Sequence, residues 1–144
     1  MKSVLIIGSG DVAMRTIPLL ARRYRVFALV RNPAYCARLR ASGAVPVLGD
    51  LDDRASLARI AGLADAVLHF APPSSTPPLP RGGREWTGSL RREQAFSDTR
   101  TRNLLGVLSQ ATLPRRLVYI STSGVYGDCG GAWVGETRPL NAAS

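Results

Sequence analysis

The protein has 144 residues, a length that corresponds to one domain of ordinary size. Its content of 45% hydrophobic and 20% charged residues is that of a globular protein, which excludes a disordered, fibrous or collagen-like design. The net charge of +9 comes from arginines dispersed in pairs rather than in runs, so it indicates a basic surface that attracts small anions and not a nucleic-acid interface.

Apolar runs alternate with helical patterns along the chain. Strands are predicted over residues 3–7, 26–30, 44–48, 66–70 and 117–121. Helices are predicted over residues 11–24, 34–42, 52–61 and 98–110, with a weaker helical pattern from about Trp86. Pro18 should kink the first helix, Pro46 favours a sheet-edge position for the third strand, and Asp52 or Asp53 is expected to cap the third helix.

Residues 71–83 form the one low-complexity stretch, with five prolines and two glycines. This composition opposes regular structure and predicts a long surface loop after the fourth strand. The loop either covers a ligand or is a solvated connection.

Five strands separated by helices predict an α/β fold, a Rossmann-like doubly wound parallel sheet with strand order 3-2-1-4-5. We assign residues 1–144 to one domain of this kind. In such a sheet the ligand crevice opens at the carboxyl ends of strands one and four, where the strand order reverses. The last strand would leave an edge at which a second copy of the chain could associate as a homo-oligomer.

A glycine turn joins the first strand to the first helix through Gly8-Ser9-Gly10-Asp11-Val12-Ala13, which fits the pattern G-x-G-x-x-A. In that pattern the first glycine permits a tight turn, the second lets a pyrophosphate approach the backbone, and the small sixth residue lets the helix pack on the strand. The exposed N–H groups and the helix dipole favour an anion there. The segment therefore predicts dinucleotide binding, although a plain strand-helix turn would have the same spacing.

The end of the second strand distinguishes NADP(H) from NAD(H). A site for NAD(H) usually has an acidic residue here that binds the ribose hydroxyls, whereas this chain has Arg31 and Asn32. An arginine suits the 2′-phosphate of NADP(H), so NADP(H) is the preferred cofactor, with NAD(H) as the alternative. The other interpretation of Arg31 is a solvated loop residue without a ligand. At the end of the third strand, Asp50 and Leu51 either contact the adenine or belong to a helix-capping cluster of acids.

The remaining polar residues give weaker signals. His69, the only histidine, is expected to be packed in the core rather than to act in catalysis. Cys36 and Cys129 lack metal-ligand spacing and are expected to be ordinary thiols of a reducing compartment. No apolar run approaches the roughly 18 residues of a membrane span, and the N-terminal run is too short for a signal peptide. We therefore expect a cytoplasmic protein without a metal, a membrane contact or a nucleic-acid partner.

Four segments together resemble the NAD-dependent epimerase/dehydratase branch of the short-chain dehydrogenase/reductase superfamily. They are residues 4–13, 29–33, 48–51 and, most specifically, 117–128 with the sequence Leu-Val-Tyr-Ile-Ser-Thr-Ser-Gly-Val-Tyr-Gly-Asp. The resemblance implies that Thr122 supplies the catalytic hydroxyl that hydrogen-bonds the reacting oxygen of a small-molecule substrate. It also implies that Ser121 and Ser123 flank the substrate, and that Ala71 and Pro72 line the nicotinamide side.

The chain departs from this family's pattern in two respects. Its glycine turn is G-x-G-x-x-A, whereas extended members have G-x-x-G-x-x-G. This difference indicates an atypical subgroup of the superfamily. The family's Tyr-x-x-x-Lys acid/base pair is missing, because Lys2 is the only lysine and Gly130 stands four residues after Tyr126. A tyrosine without a nearby lysine is a poor base at neutral pH.

Two functions are consistent with these features. The chain is either the NADP(H)-binding part of an oxidoreductase or epimerase that acts by hydride transfer on a sugar-nucleotide-like or other carbonyl or alcohol substrate, or a non-catalytic NADP(H)-binding or sensing module. We expect the chain to lack activity alone. Three explanations are open, namely a fragment, a portion of a longer enzyme, or a cofactor-binding module. The sheet is expected to be incomplete at its C-terminal end.

Overall fold

The computed structural model of the protein describes residues 2–73, 98–121 and 123–141. Within these ranges the strands are β1 (Ser3–Ile7), β2 (Arg25–Val30), β3 (Ala44–Leu48), β4 (Ala66–His69) and β5 (Arg116–Tyr119). The α-helices there are α1 (Asp11–Leu20), α2 (Cys36–Ala41) and α3 (Thr99–Leu108). Short 3-10 helices cover Pro33–Tyr35, Arg54–Ile60 and Ser123–Tyr126.

The strands form one five-stranded parallel sheet in the order β3-β2-β1-β4-β5. This confirms the predicted α/β fold and its strand order. Pro46 lies in β3 opposite Ala28, and β3 is an edge strand of the sheet. An edge position leaves one side of the strand without a ladder, so the missing proline N–H is tolerated there, as predicted.

Each face of the sheet carries its own hydrophobic core, because successive strand residues point to opposite faces. One core contains Leu5 and Ile7 of β1 and packs against the 3-10 helix Arg54–Ile60 and α3. The other core contains Val4 and Ile6 and packs against α1 and α2. This two-sided burial explains why the inner strands β1 and β2 are apolar at nearly every position instead of alternating.

Several predicted boundaries are wrong by a few residues. The first helix ends at Leu20 rather than Tyr24, and Pro18 lies inside it, where its missing N–H leaves the Met14 carbonyl without a helical donor. The segment after Asp53 is a 3-10 helix that ends at Ile60, and Asp53 caps it by accepting from the N–H of Ala55 at 3.1 Å.

The last two strands also end earlier than predicted. Tyr119 pairs with His69, the final residue of β4, so the ladder stops at Tyr119 instead of continuing to Ser121. The helical pattern predicted from Trp86, and most of the proline-rich loop, lie outside the described residues. Within the described ranges, no helix combines the length and apolar character needed to cross a bilayer.

His69 is a buried polar residue of β4, with 1% of its surface exposed, as predicted for a core histidine. Its Nε2 lies 3.0 Å from the Thr101 hydroxyl oxygen, and that hydroxyl donates to the Asp98 carboxylate. The Thr101 oxygen therefore accepts from Nε2, which carries the proton of a neutral ring. The Tyr119 ring packs edge-on against the His69 ring, with 5.0 Å between the two ring centroids.

Burial lowers the pKa of His69 below its ordinary value, and the charge of Asp98 offsets only part of this effect. In the unfolded chain the ring titrates near 6.5, so below that pH the unfolded state binds a proton that the folded state resists. We expect the free energy of unfolding to fall with decreasing pH below about 6.5, by up to ~1.4 kcal/mol per pH unit until the folded ring is itself protonated.

This decline can be measured by urea unfolding of the wild type at several pH values between about 7.5 and about 5. In His69→Leu the slope should nearly vanish, whatever its absolute stability. The Asp52 and Asp65 carboxyls have lowered pKa values and should lose their contribution only below about pH 4, outside the window. Equal slopes in wild type and variant would contradict the assignment.

Candidate functional site

A cavity of about 360 Å³ opens at the carboxyl ends of β1, β2, β3 and β4. This volume falls within the range of small-molecule sites, about 300 to 1,000 Å³. The crevice lies where the strand order reverses between β1 and β4, which is the place that a parallel sheet of this order predicts. Its walls are Gly8, Ser9, Leu29, Val30, Arg31, Asn32, Tyr35, Gly49, Asp50, Leu51, Ala71, Pro72 and Arg100.

Gly8 ends β1 at the floor of this cavity and has a φ of +97°, in a region that L side chains rarely adopt. A Cβ atom on Gly8 would lie 2.6 Å from the backbone nitrogen of Ala71 and 2.9 Å from its Cα. Only glycine therefore allows the turn after β1 to pass so close to the backbone that follows β4. The predicted tight turn at Gly8 has a steric reason in its neighbour.

The next two residues connect this turn to its surroundings. Ser9 donates its hydroxyl to the carbonyl oxygen of Leu29, which ties the turn to the end of β2. Gly10 is the N-cap of α1, and its carbonyl accepts the first helical bond from Met14 at 3.0 Å. A Cβ on Gly10 would meet nothing within 4 Å, so its backbone faces open space that a ligand could approach.

The last three residues of the glycine motif belong to α1 and do not line the cavity. Asp11 is exposed and forms an ion pair with Arg15, with 2.8 Å between carboxylate and guanidinium. Val12 is half-exposed, whereas Ala13 is fully buried in the core beneath α1, next to Ile17. Ala13 therefore has the packing role that the motif predicts for its last position.

At the end of β2, Arg31 and Asn32 both line the cavity. Asn32 also caps the 3-10 helix Pro33–Tyr35 by accepting from the N–H of Ala34 at 2.9 Å. Arg31 is largely exposed, and its Nε lies 3.9 Å from a carboxylate oxygen of Asp50. The predicted contact of Arg31 with a 2′-phosphate stays a prediction, and the anionic group that faces Arg31 here is the carboxylate of Asp50.

Asp50 and Leu51 follow β3 and complete this side of the cavity. The carbonyl of Leu51 accepts from the side-chain amide of Asn103 on α3 at 2.8 Å. Asp50 lines the cavity and also belongs to a hydrogen-bonded turn with Asp52 and Asp53. The two alternatives for Asp50, a cofactor contact or a capping cluster, are therefore geometrically compatible.

Arg100, at the start of α3, connects two walls of the cavity. Its Nε and one terminal nitrogen hold both carboxylate oxygens of Asp52 at 2.9 and 2.7 Å, and its other terminal nitrogen lies 3.4 Å from the carbonyl oxygen of Pro72. The Arg100 guanidinium lowers the pKa of Asp52, so this pair stays charged over the physiological range. The contact joins the loop after β3 to the end of β4.

The predicted substrate residues lie at the end of the described chain. Ser121 is exposed just beyond β5 and is not among the residues that line the cavity. Thr122 lies outside the described residues, and of Ser123 only the backbone is described, at the start of the 3-10 helix Ser123–Tyr126. The catalytic and substrate roles of these three residues stay predictions.

Among the described residues that line the cavity, the polar side chains of Tyr35 and Arg100 were not predicted from the sequence. Tyr35 could have been found, because it closely follows the predicted cofactor residues Arg31 and Asn32. Arg100 gave no local signal. In the sequence it is one of two closely spaced arginines, Arg100 and Arg102, of the kind expected on a solvated surface. It reaches the cavity because the start of α3 lies next to Pro72.

The sheet order, the glycine turn and the crevice above it define a dinucleotide-binding α/β protein. The family described as NAD(P)H-binding matches residues 8–142, and the chain belongs to that family. No curated protein sequence matches it significantly. The predicted relationship to the epimerase/dehydratase-like proteins, over part of their length, is confirmed at the level of family and fold.

Solved structures share the fold. A short-chain dehydrogenase/reductase superfamily protein from Agrobacterium tumefaciens with bound NAD is 26% identical with a TM-score of 0.66, over 99% of this chain and 40% of that chain. A functionally unknown conserved protein from Silicibacter pomeroyi is 27% identical with a TM-score of 0.60, over 100% and 43%. Vestitone reductase from alfalfa is 16% identical with a TM-score of 0.59, over 88% and 38%. The chain thus spans about two-fifths of the length of these proteins.

The two glycines of the turn should respond differently to substitution. Gly8→Ala should lower the free energy of unfolding by about 2 to 5 kcal/mol, because it adds left-handed strain and an overlap with Ala71. Gly10→Ala is the matched control and should change it by less than about 1 kcal/mol, since its Cβ enters open space. Urea unfolding measures both, and equal losses would contradict the steric argument.

Proposed function

We propose that the protein is the NADP(H)-binding part of an oxidoreductase or epimerase that acts by hydride transfer on a carbonyl or alcohol substrate. The observation that carries this proposal is the cavity at the β1/β4 reversal, which has a glycine turn at its floor and Arg31 at its rim. The family match and the solved relative with bound NAD support a nicotinamide cofactor.

The residues present fit such a cofactor at both ends of the crevice. The turn from Gly8 to Gly10 presents its backbone and the N-terminus of α1, which suits the pyrophosphate. The ends of β2 and β3, with Arg31 and Asp50, suit the adenosine, and Ala71 and Pro72 suit the nicotinamide side. Asp11, Val12 and Ala13 form the first turn of α1, so their backbone N–H groups are the ones that the pyrophosphate would meet.

NADP(H) is favoured over NAD(H) because the acid that usually binds the ribose hydroxyls at the end of β2 is replaced by Arg31. Arg31 is exposed and lines the cavity, so its guanidinium can reach a 2′-phosphate. Charge-assisted hydrogen bonds of this kind are worth roughly 1.5 to 3 kcal/mol, or about 10- to 150-fold in affinity.

This choice of cofactor is tested by titrating the protein with NADPH and with NADH at moderate salt, following heat or tryptophan fluorescence. Arg31→Gln should weaken NADPH binding at least about tenfold and leave NADH binding nearly unchanged. Arg40→Gln on α2 removes the same charge outside the cavity and serves as the control. Equal losses for both cofactors would remove Arg31 from the 2′-phosphate site, and no binding of either cofactor would refute the proposed function.

When bound, the cofactor supplies or accepts a hydride at the substrate carbon. In our proposal Thr122 then hydrogen-bonds the reacting oxygen, and Ser121 and Ser123 hold the substrate beside it. The substrate is a small molecule such as a nucleotide sugar.

The protein works in the cytoplasm, and its basic surface attracts anionic small molecules rather than nucleic acid or membranes.

The second candidate is a module that binds NADP(H) without chemistry. It rests on one feature of residues 1–144 taken by themselves, namely that Lys2 is their only lysine and that they contain no Tyr-x-x-x-Lys pair. Without that pair the proton transfer that accompanies hydride transfer lacks its usual acid/base group.

The two candidates differ in whether bound NADPH is consumed. We expect this chain to bind NADPH without oxidising it when aldehydes, ketones or keto-sugar nucleotides are added, as measured by NADPH absorbance. Oxidation that is lost in Thr122→Ala but kept in Thr112→Ala, an exposed loop threonine, would instead show that the chain is catalytically competent by itself.

A further inference from the structure

Two arginines of the described ranges line the cavity, and they differ in how firmly they are held. The guanidinium of Arg100 is bound at short distance to both carboxylate oxygens of Asp52 and lies near the Pro72 carbonyl. The side chain of Arg31 is 70% exposed, and its contact with Asp50 at 3.9 Å is too long for a hydrogen bond. Of these two cations, Arg31 is the one that an incoming anion can recruit without breaking a bidentate pair.

Asp50, in contrast, is fixed in place through its backbone and its side chain. Its N–H donates to the Ser56 hydroxyl at 2.8 Å, and its carbonyl accepts from Asp53 N–H at 3.0 Å. One carboxylate oxygen accepts from Asp52 N–H at 3.0 Å, and the other oxygen faces Arg31. The negative charge of Asp50 therefore stays in the cavity wall when Arg31 moves.

We infer that Asp50 is a specificity-determining residue that limits the preference of this site for NADP(H) over NAD(H). The inference rests on the proposed function. A 2′-phosphate has to draw Arg31 away from the Asp50 carboxylate, and it then lies near a fixed charge of its own sign. NAD(H) has no such phosphate, so it binds with the Arg31–Asp50 pair intact. The pair thus makes the site able to accept either cofactor.

The size of the effect follows from the exposure of the pair. Exposed ion pairs are weak and are screened by salt, so a dianionic phosphate outcompetes the carboxylate but at reduced affinity. Removing the carboxylate charge should therefore strengthen NADPH binding by about three- to tenfold at low salt, and by less at high salt.

The test is Asp50→Asn, titrated with NADPH and with NADH. Asparagine keeps the Oδ1 acceptor for the Asp52 N–H, and a melting curve checks that the fold is retained. We expect tighter NADPH binding and NADH binding within about twofold of wild type. Unchanged or weaker NADPH binding would overturn the inference, and so would parallel losses for both cofactors, which would mean an adenine contact instead.

Two further variants complete the experiment. Asp53→Asn removes the same charge from the same loop while keeping its capping oxygen, and it does not line the cavity, so it should leave the cofactor ratio unchanged. In an Arg31→Gln background, Asp50→Asn should strengthen NADPH binding by a smaller factor than in wild type, and an equal factor would refute competition for Arg31. Absence of any cofactor binding by the wild type would refute the proposed function itself, which separates the two failures.

Discussion

The close approach of two backbones at Gly8 and Ala71 is the constraint on which the site depends. β1 and β4 are adjacent parallel strands, and the helices that follow them must leave on opposite faces of the sheet. The turn after β1 passes directly against the backbone after β4, and both segments line the cavity. The absence of a side chain at Gly8 permits this contact, and the hydroxyl of Ser9 anchors the turn to β2 on the other side.

The charged residues around the crevice form a second level of organisation. Arg100 and Asp52 connect the loop after β3 to the end of β4, so this pair shapes the cavity wall. Arg31 and Asp50 lie in the same wall but are loosely paired and more exposed, so they are available to a ligand. One pair is structural and the other is exchangeable, although each consists of an arginine and an aspartate.

The sequence predicted the sheet well because its inner strands β1, β2 and β4 are largely buried, and such strands appear as short apolar runs between turn residues. The strand order followed from the alternation of strands and helices. Boundaries were less accurate, since the end of β5 depends on where its partner β4 stops. Residues next to the motifs, such as Arg31 and Asp50, were found from sequence. Arg100 was not, because its place in the cavity results from helix packing across the fold.

The two cores differ in how much of the chain each requires. The buried members of the core beneath α1 and α2 all lie between Val4 and Ala44, whereas the opposite core extends from Leu5 to Leu108. Loop closure over the longer span costs more entropy and is slower. During synthesis, the first three strands and two helices can therefore collapse on one face as soon as they emerge. The other face of the same strands is covered first by the 3-10 helix Arg54–Ile60 and completed by α3, and until then Leu5, Ile7 and Leu29 form an apolar surface on the nascent chain that is only partly covered.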